Sequence, residues 1–259
     1  MTCANSPPTS APWPEVAGDP WLWLGLFILF AYGLEAVTGF GSTVVALSLG
    51  ALLLPIGQLL PVLVPLNLLM SGYLAWRYRH LADGPLLLGG ILPAMLAGTL
   101  LGYALLPWLE GAALKQGFGV LLLWFALREL WRQRHERPRG HSPAWMTRLQ
   151  IGAGGICHGL FASGGPLLVY TLAGTPLCKA RLRATLACVW LSLNGLLSLA
   201  FLVDGRLAPA LPHLALYLPL LVLGVAAGEW LHHRVAERHF RTLTYLLLCL
   251  CGLLLAWHA

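Results

Sequence analysis

Charge is scarce in this sequence: only 10% of its 259 residues are Asp, Glu, Lys or Arg, and ten of those are acidic. A soluble domain of this length carries about a quarter. No Walker motif and no kinase signature occur, so transport driven by the chain's own ATP hydrolysis is not expected. Lys and Arg are missing before Trp21, and residues 1–20 carry Glu15, Asp19 and several prolines instead. They lack the basic start of a signal peptide and are expected to form a short disordered external lead. The six cysteines, Cys3, Cys157, Cys178, Cys188, Cys249 and Cys251, show no metal-ligand spacing. They read as small buried hydrophobes, and neither a metal nor a cofactor is expected.

What the chain has is apolar length. Hydrophobic residues make up 58% of it, in runs at Trp21–Leu54, Pro61–Trp76, Pro85–Trp108, Leu114–Trp131, Trp145–Gly174, Arg183–Val203, Pro212–Leu231 and Leu243–His258. About 20 apolar residues in a helix span the ~30 Å hydrocarbon core of a bilayer. The net charge of +6 is carried by short loops between these runs, the pattern of membrane topology rather than of a nucleic-acid surface. The fold expected is all-α: a polytopic integral membrane protein of about eight apolar segments.

Four features recur in order. Asn67 and Ser71 return as Asn194 and Ser198; Asp83-Gly84 returns as Asp204-Gly205; Gly98 and Gly102 return as Gly224 and Gly228. Gly39-Phe40-Gly41-Ser42 is matched by Ser163-Gly164-Gly165-Pro166. The chain therefore divides into residues 1–20 (lead), 21–131 (first transmembrane repeat), 132–148 (basic cytoplasmic linker) and 149–259 (second repeat).

Basic residues decide how the repeats are oriented. If all eight segments cross once, the two sides receive nine and seven of the sixteen Lys and Arg. If Trp145–Gly174 enters and returns, fourteen share one side, leaving Lys115 and Arg206 opposite. The positive-inside rule prefers the second arrangement. It inverts the halves, each opening with a glycine-broken helical hairpin, and places both termini outside. Inverted repeats are a recurrent plan of secondary transporters.

Arms of ~12–15 residues give about 20 Å of helix at 1.5 Å per residue, so the hairpin tips are expected to meet inside the bilayer. Broken helices there leave N–H and C=O groups that need partners. Gly39, Gly41, Gly164 and Gly165 permit the turns, and Pro166 suits a restarting helix. The restarts near Ser42-Thr43 and Pro166-Leu167 would present N–H groups and positive dipole ends, which bind oxyanions. Ser163, Asn67 and Asn194 are candidate ligand donors, with Ser71 and Ser198 beside them; the alternative for these polar residues is helix-to-helix hydrogen bonding. Gly98, Gly102, Gly224 and Gly228 read as helix-packing surfaces. Glu35, deep in an apolar run, and His158, near the equivalent position, are candidates for proton coupling; pairing with a backbone group, or a satisfied structural imidazole, is the other reading. Catalysis is not expected. Cys157 and His158 are adjacent and point apart on one helix, Ser163 lacks a G-x-S-x-G elbow, and no third partner can be placed.

The stretch Glu35-Ala-Val-Thr-Gly-Phe-Gly-Ser-Thr-Val-Val-Ala-Leu-Ser-Leu49 resembles the first signature of the TauE/SafE sulfite exporter family, also called the toluene sulfonate uptake permease family. Gly159-Leu-Phe-Ala-Ser-Gly-Gly-Pro-Leu-Leu-Val169 resembles its second-half counterpart, and the basic break between two four-segment halves is similar too. The resemblance implies a bacterial inner-membrane permease for sulfite, sulfonate, thiosulfate or other organic anions. Gly39, Gly41, Ser42, Gly164, Gly165 and Pro166 carry the signature. The first signature often holds more glycine than Gly-Phe-Gly-Ser, a departure that bears on ligand size. Expected partners are a small anion and the lipid bilayer, with self-association left open and no nucleic acid. Alternating access is the leading reading; a small-anion channel, a permease for a non-sulfur carboxylate and a structural role are its rivals.

Overall fold

Glycine and proline punctuate the apolar runs, and the helices break where they do. The computed structural model describes residues 19–38, 41–109, 111–135, 143–172, 178–232 and 237–258. Residues 1–18 of the lead, residues 136–142 of the linker, and Gly39 lie outside the described residues.

The first half runs α1 (Pro20–Thr38), α2 (Ser42–Gly50), α3 (Ile56–Tyr78), a short α4 (Gly84–Leu86) leading through a π turn into α5 (Leu92–Leu105), and α6 (Ala112–His135). The second runs α7 (Ala144–Phe161), α8 (Gly165–Leu172), α9 (Lys179–Val203), α10 (Leu211–His232) and α11 (Glu237–His258). Among the described residues no strand occurs. Among the described residues, four helical stretches are long and apolar enough to cross a membrane: Ile56–Leu81, Gly84–Trp108, Ala180–Val203 and Ala208–Gly228. They are the second and third segments of each half. The protein is an all-helical, polytopic membrane protein. Leucines and aromatics at i, i+4 spacing, such as Leu22, Leu26 and Phe30 on α1 or Leu246 and Leu250 on α11, stand exposed. In water such rows would make an unsustainably large apolar patch; in a bilayer they face lipid.

The halves interlock crosswise. α1 packs on α10, and its counterpart α7 packs on α5; α3 lies against α9 and α6 against α11. Missing side chains make these contacts close. A Cβ on Gly98 or Gly102 would fall 2.3 Å from the carbonyl oxygens of Gly152 or Ile156, and one on Gly159 would fall 2.3 Å from that of Thr99. On the equivalent interface, a Cβ on Gly224 would sit 2.7 Å from the Leu29 carbonyl. These small-residue faces are packing surfaces, as the spacing suggested.

Helices α3 and α9 are antiparallel. The Asp83 N–H, just past the end of α3, donates to Thr185 Oγ1 near the start of α9 at 2.9 Å, and Arg181 reaches the Asp83 carboxylate at 3.3 Å. At the opposite end Arg206, past α9, donates to the Gly57 carbonyl at the start of α3 at 2.9 Å. Eight single crossings would have set α3 and α9 parallel; an entering-and-returning fifth segment sets them antiparallel. Arg128, grouped by sequence with the basic centre, lies within α6 with its guanidinium 3.3 Å from the Tyr170 ring centroid of α8.

Candidate functional site

Each hairpin turns within a few residues, by different means. In the first, Gly41 adopts φ 103°, ψ 3° before α2 begins at Ser42, a left-handed conformation that glycine takes without a Cβ clash. In the second, the left-handed residue is Ala162 (φ 49°), whose N–H closes α7 on the His158 carbonyl at 2.7 Å. Glycine was the residue expected there. Gly164 serves another need: its Cβ would lie 2.3 Å from the Gly154 carbonyl and 2.9 Å from His158 Cβ, so only glycine lets the chain fold back onto α7. Pro166 then occupies the first turn of α8, where its missing N–H costs nothing.

The N-terminus of α2 is not open at its first residue. The Ser42 N–H donates to Glu35 Oε2 at 2.9 Å, so the carboxylate caps the helix that follows its own. This is a buried bond to the first N–H of a helix, at the positive end of its dipole. From Ser42 a chain of side-chain bonds crosses the molecule. Asn67 Nδ2 donates to Ser42 Oγ (3.0 Å), Ser71 Oγ donates to Asn67 Oδ1 (3.0 Å), and Asn194 Nδ2 donates to the same Oδ1 (2.7 Å). The two asparagines that recur in the sequence thus touch each other.

The chain of bonds is one-sided. Asn194 Oδ1 and Ser198 Oγ are buried without a hydrogen-bond partner, although their counterparts in the first half are bonded. Both ring nitrogens of His158 are likewise buried and unpartnered, and its ring stacks on Trp190 at 5.6 Å. The Tyr32 hydroxyl lies beside Glu35, Ser42 and Asn67 but meets none of them in hydrogen-bonding geometry. Buried polar groups without partners are costly, and two of these residues, Asn194 and His158, line one cavity.

That cavity has a volume of about 30 Å³, room for one or two waters. The first half contributes Glu35, Gly41, Thr43 and Asn67, and the second His158, Ser163, Gly165 and Asn194. Glu35 and His158 occupy matching places, each seven residues before the first residue of the returning helix. Ser42 stands behind the lining, bonded to Glu35 and Asn67. Ser163 Oγ donates to the Phe161 carbonyl at 2.8 Å, so its hydroxyl hydrogen is engaged locally. Pro166 faces a neighbouring apolar cavity with Phe118, Leu122 and Leu167.

Sequence reasoning missed Trp190 and Tyr32. Trp190, 8% exposed, closes one wall of the cavity; its signal was a mid-segment position one turn before Asn194. Tyr32 sits one turn before Glu35. Glu129 was missed as a second buried carboxylate, held by Arg132 Nε at 3.0 Å.

The family model described as "Sulfite exporter TauE/SafE" matches residues 24–255. The chain belongs to the TauE/SafE family. A protein described as probable inner membrane transporter protein TsaS, from Comamonas testosteroni, is 26% identical over 202 residues, covering 75% of this chain and 80% of the relative. No solved structure matches. Family and relative are transporters, and the chain is accordingly a membrane transport protein of the TauE/SafE type.

Proposed function

We propose that the chain is a secondary permease of the bacterial inner membrane for small sulfur-containing or organic anions, of the sulfite, sulfonate or thiosulfate class. It works by alternating access between two inverted halves. The observation that carries this reading is the convergence of both hairpin tips and both repeated asparagines on one buried cavity. Asn194, His158 and the start of α8 offer donors to an oxyanion from one side, and Thr43 and Asn67 from the other. The antiparallel setting of α3 and α9 supports inversion, with fourteen basic residues on the cytoplasmic side.

Glu35 makes the carrier proton-linked. An anion 4 Å from an ionised carboxylate is repelled by about 4 kcal/mol at an effective dielectric of 20. Binding the anion therefore favours proton uptake at Glu35, or at the unpartnered His158 ring. A cavity of about 30 Å³ must widen to hold sulfite, which suits a conformational carrier better than a standing pore.

The test is flux in proteoliposomes across sulfite, sulfate, thiosulfate, sulfoacetate, taurine, acetate and chloride, with and without a pH gradient. Saturable flux of a sulfur oxyanion that responds to the gradient is expected. Saturable flux of acetate alone would replace the sulfur class by a carboxylate. Flux that never saturates would replace the carrier by a channel.

A further inference from the structure

Two residues of the central cavity also line a second one. Glu35 and Trp190 form its inner wall, and Ser71, Leu74, Tyr78 and Ala187 lead away from them to Arg183. Tyr78 is the last residue of α3, and Arg183 lies near the start of α9 beside Arg181 and Thr185, which hold Asp83. The second cavity, about 10 Å³ in volume, thus lies between the core and one end of the molecule, the end where Arg77, Arg79, Arg181 and Arg183 gather. Arg183 is exposed and lines this cavity together with Glu35.

Trp190 stands with Glu35 between the two spaces. Its indole stacks on the His158 ring at 19° between planes, and its six-membered edge lies 3.3 Å from where a Cβ on Gly165 would stand. The side chain therefore rests on the tip of the second hairpin and on a cavity-lining histidine at once. A wall built from two side chains, Glu35 and Trp190, rather than from a helix, opens by a rotamer change of the indole once the hairpin tip moves.

We infer that Trp190 is the movable partition between the substrate cavity and a vestibule whose mouth is Arg183, so that an anion passes Arg183 before meeting Glu35 and the asparagine pair. The inference rests on the permease reading and adds its route and two residues: Arg183 as the cation that concentrates anions, and Trp190 as the residue that admits them. A single cation at the mouth of a low-dielectric cleft raises the local concentration of anions and lowers that of cations. Arg183 touches the ligand only in transit; Trp190 positions the barrier.

Accessibility tests this without knowing the substrate. In a cysteine-free background reconstituted in liposomes, Ala187→Cys and, separately, Leu74→Cys are labelled with 2-sulfonatoethyl methanethiosulfonate (anionic) and 2-trimethylammonioethyl methanethiosulfonate (cationic). Applied from the side of the Arg181 loop, the anionic reagent should react about tenfold faster than the cationic one, and Arg183→Gln should lower the ratio severalfold, the remaining arginines at that end keeping it above one, while Arg183→Lys keeps it. Thr43→Cys, beyond the partition, should be unreactive from that side with Trp190 or Trp190→Phe and become reactive with Trp190→Ala. A ratio indifferent to Arg183→Gln removes the vestibule role, and Thr43→Cys labelling indifferent to residue 190 removes the partition. If labelling behaves as stated but no anion flux is found, the permease reading fails and the route stands; if anion flux is found but labelling ignores both residues, the route fails and the permease stands.

Discussion

Replacing Gly159 by Ala tests whether helix contact holds the site in register. Its Cβ would stand 2.3 Å from the Thr99 carbonyl oxygen, 2.7 Å from the Tyr103 nitrogen and 2.9 Å from Gly102 Cα. All three are backbone atoms, so no side chain can swing aside. To bring the shortest contact from 2.3 Å up to the 3.0 Å that Cβ atoms respect, α5 and α7 must part by about 0.7 Å. Forced overpacking of this kind costs typically ~1–3 kcal/mol. The displaced helix carries His158 in the neighbouring position, so the cavity loses its geometry as well. Gly117→Ala is the matched control: it lies in α6, exposed, with nothing within 4 Å of its Cβ. It should gain about 0.5–1 kcal/mol from helix propensity. Thermal unfolding of the purified protein in detergent, followed by tryptophan fluorescence and paired with liposome flux, reads both. Gly159→Ala should lower the midpoint by several degrees and reduce flux, while Gly117→Ala should raise the midpoint slightly and leave flux unchanged. Equal midpoints for the two variants would refute the close-packing account of the interface.

Glu35→Gln keeps an acceptor for the Ser42 N–H but no proton to exchange, so flux should persist and lose its dependence on pH; a preserved pH profile would take Glu35 out of the coupling. Glu35→Ala instead leaves that N–H buried without an acceptor, at about 1–3 kcal/mol of stability, measurable as a lower unfolding midpoint than that of Glu35→Gln. Asp83→Ala removes both the bond from the Leu86 N–H and the ion pair to the half-exposed Arg181. Loss of the cap should dominate at roughly 1 kcal/mol, since surface pairs contribute at most about that, and Arg181→Gln should therefore be milder than Asp83→Ala. Gly165→Val places branched carbons against the Trp190 indole and should abolish saturable flux while expression continues; retained affinity would mean that the glycine only packs. Arg134→Cys and Arg181→Cys should both label from the cytoplasmic face, and external labelling of Arg181→Cys would overturn the inverted arrangement.

Glycine and proline breaks, repeated polar pairs and the distribution of arginine were legible because membrane helices leave few other signals. Each Gly, Asn or charge in or beside an apolar run stands out, and its recurrence 121 to 127 positions later marks corresponding places in the two halves. What stayed hidden was direction. Asn67 and Asn194 read as parallel candidates for a ligand, yet they bond to each other, and only Asn194 retains an unused oxygen. Trp190 was hidden by its chemistry. Tryptophans at segment ends, such as Trp76, Trp108 and Trp131, are exposed as interfacial anchors should be, and composition does not separate them from one that walls a cavity. Ala162 escaped because a left-handed alanine has no sequence mark, and its neighbouring glycines were the natural choice for the turn.

The crosswise interlock of the halves bears on how such a chain is made. Chains emerge from the ribosome N-terminus first, and α1 is finished long before α10, the helix whose Gly224 lets it approach the Leu29 carbonyl. Likewise α5 waits for α7. The first hairpin must therefore reside in lipid with the face that meets α10 uncovered, its Ser42 bonded to Glu35 and to Asn67 of α3, until the last third of the protein has been inserted. Neither half can mature alone. Co-synthesised fragments divided within residues 136–142 should recover a native fold only when both are present.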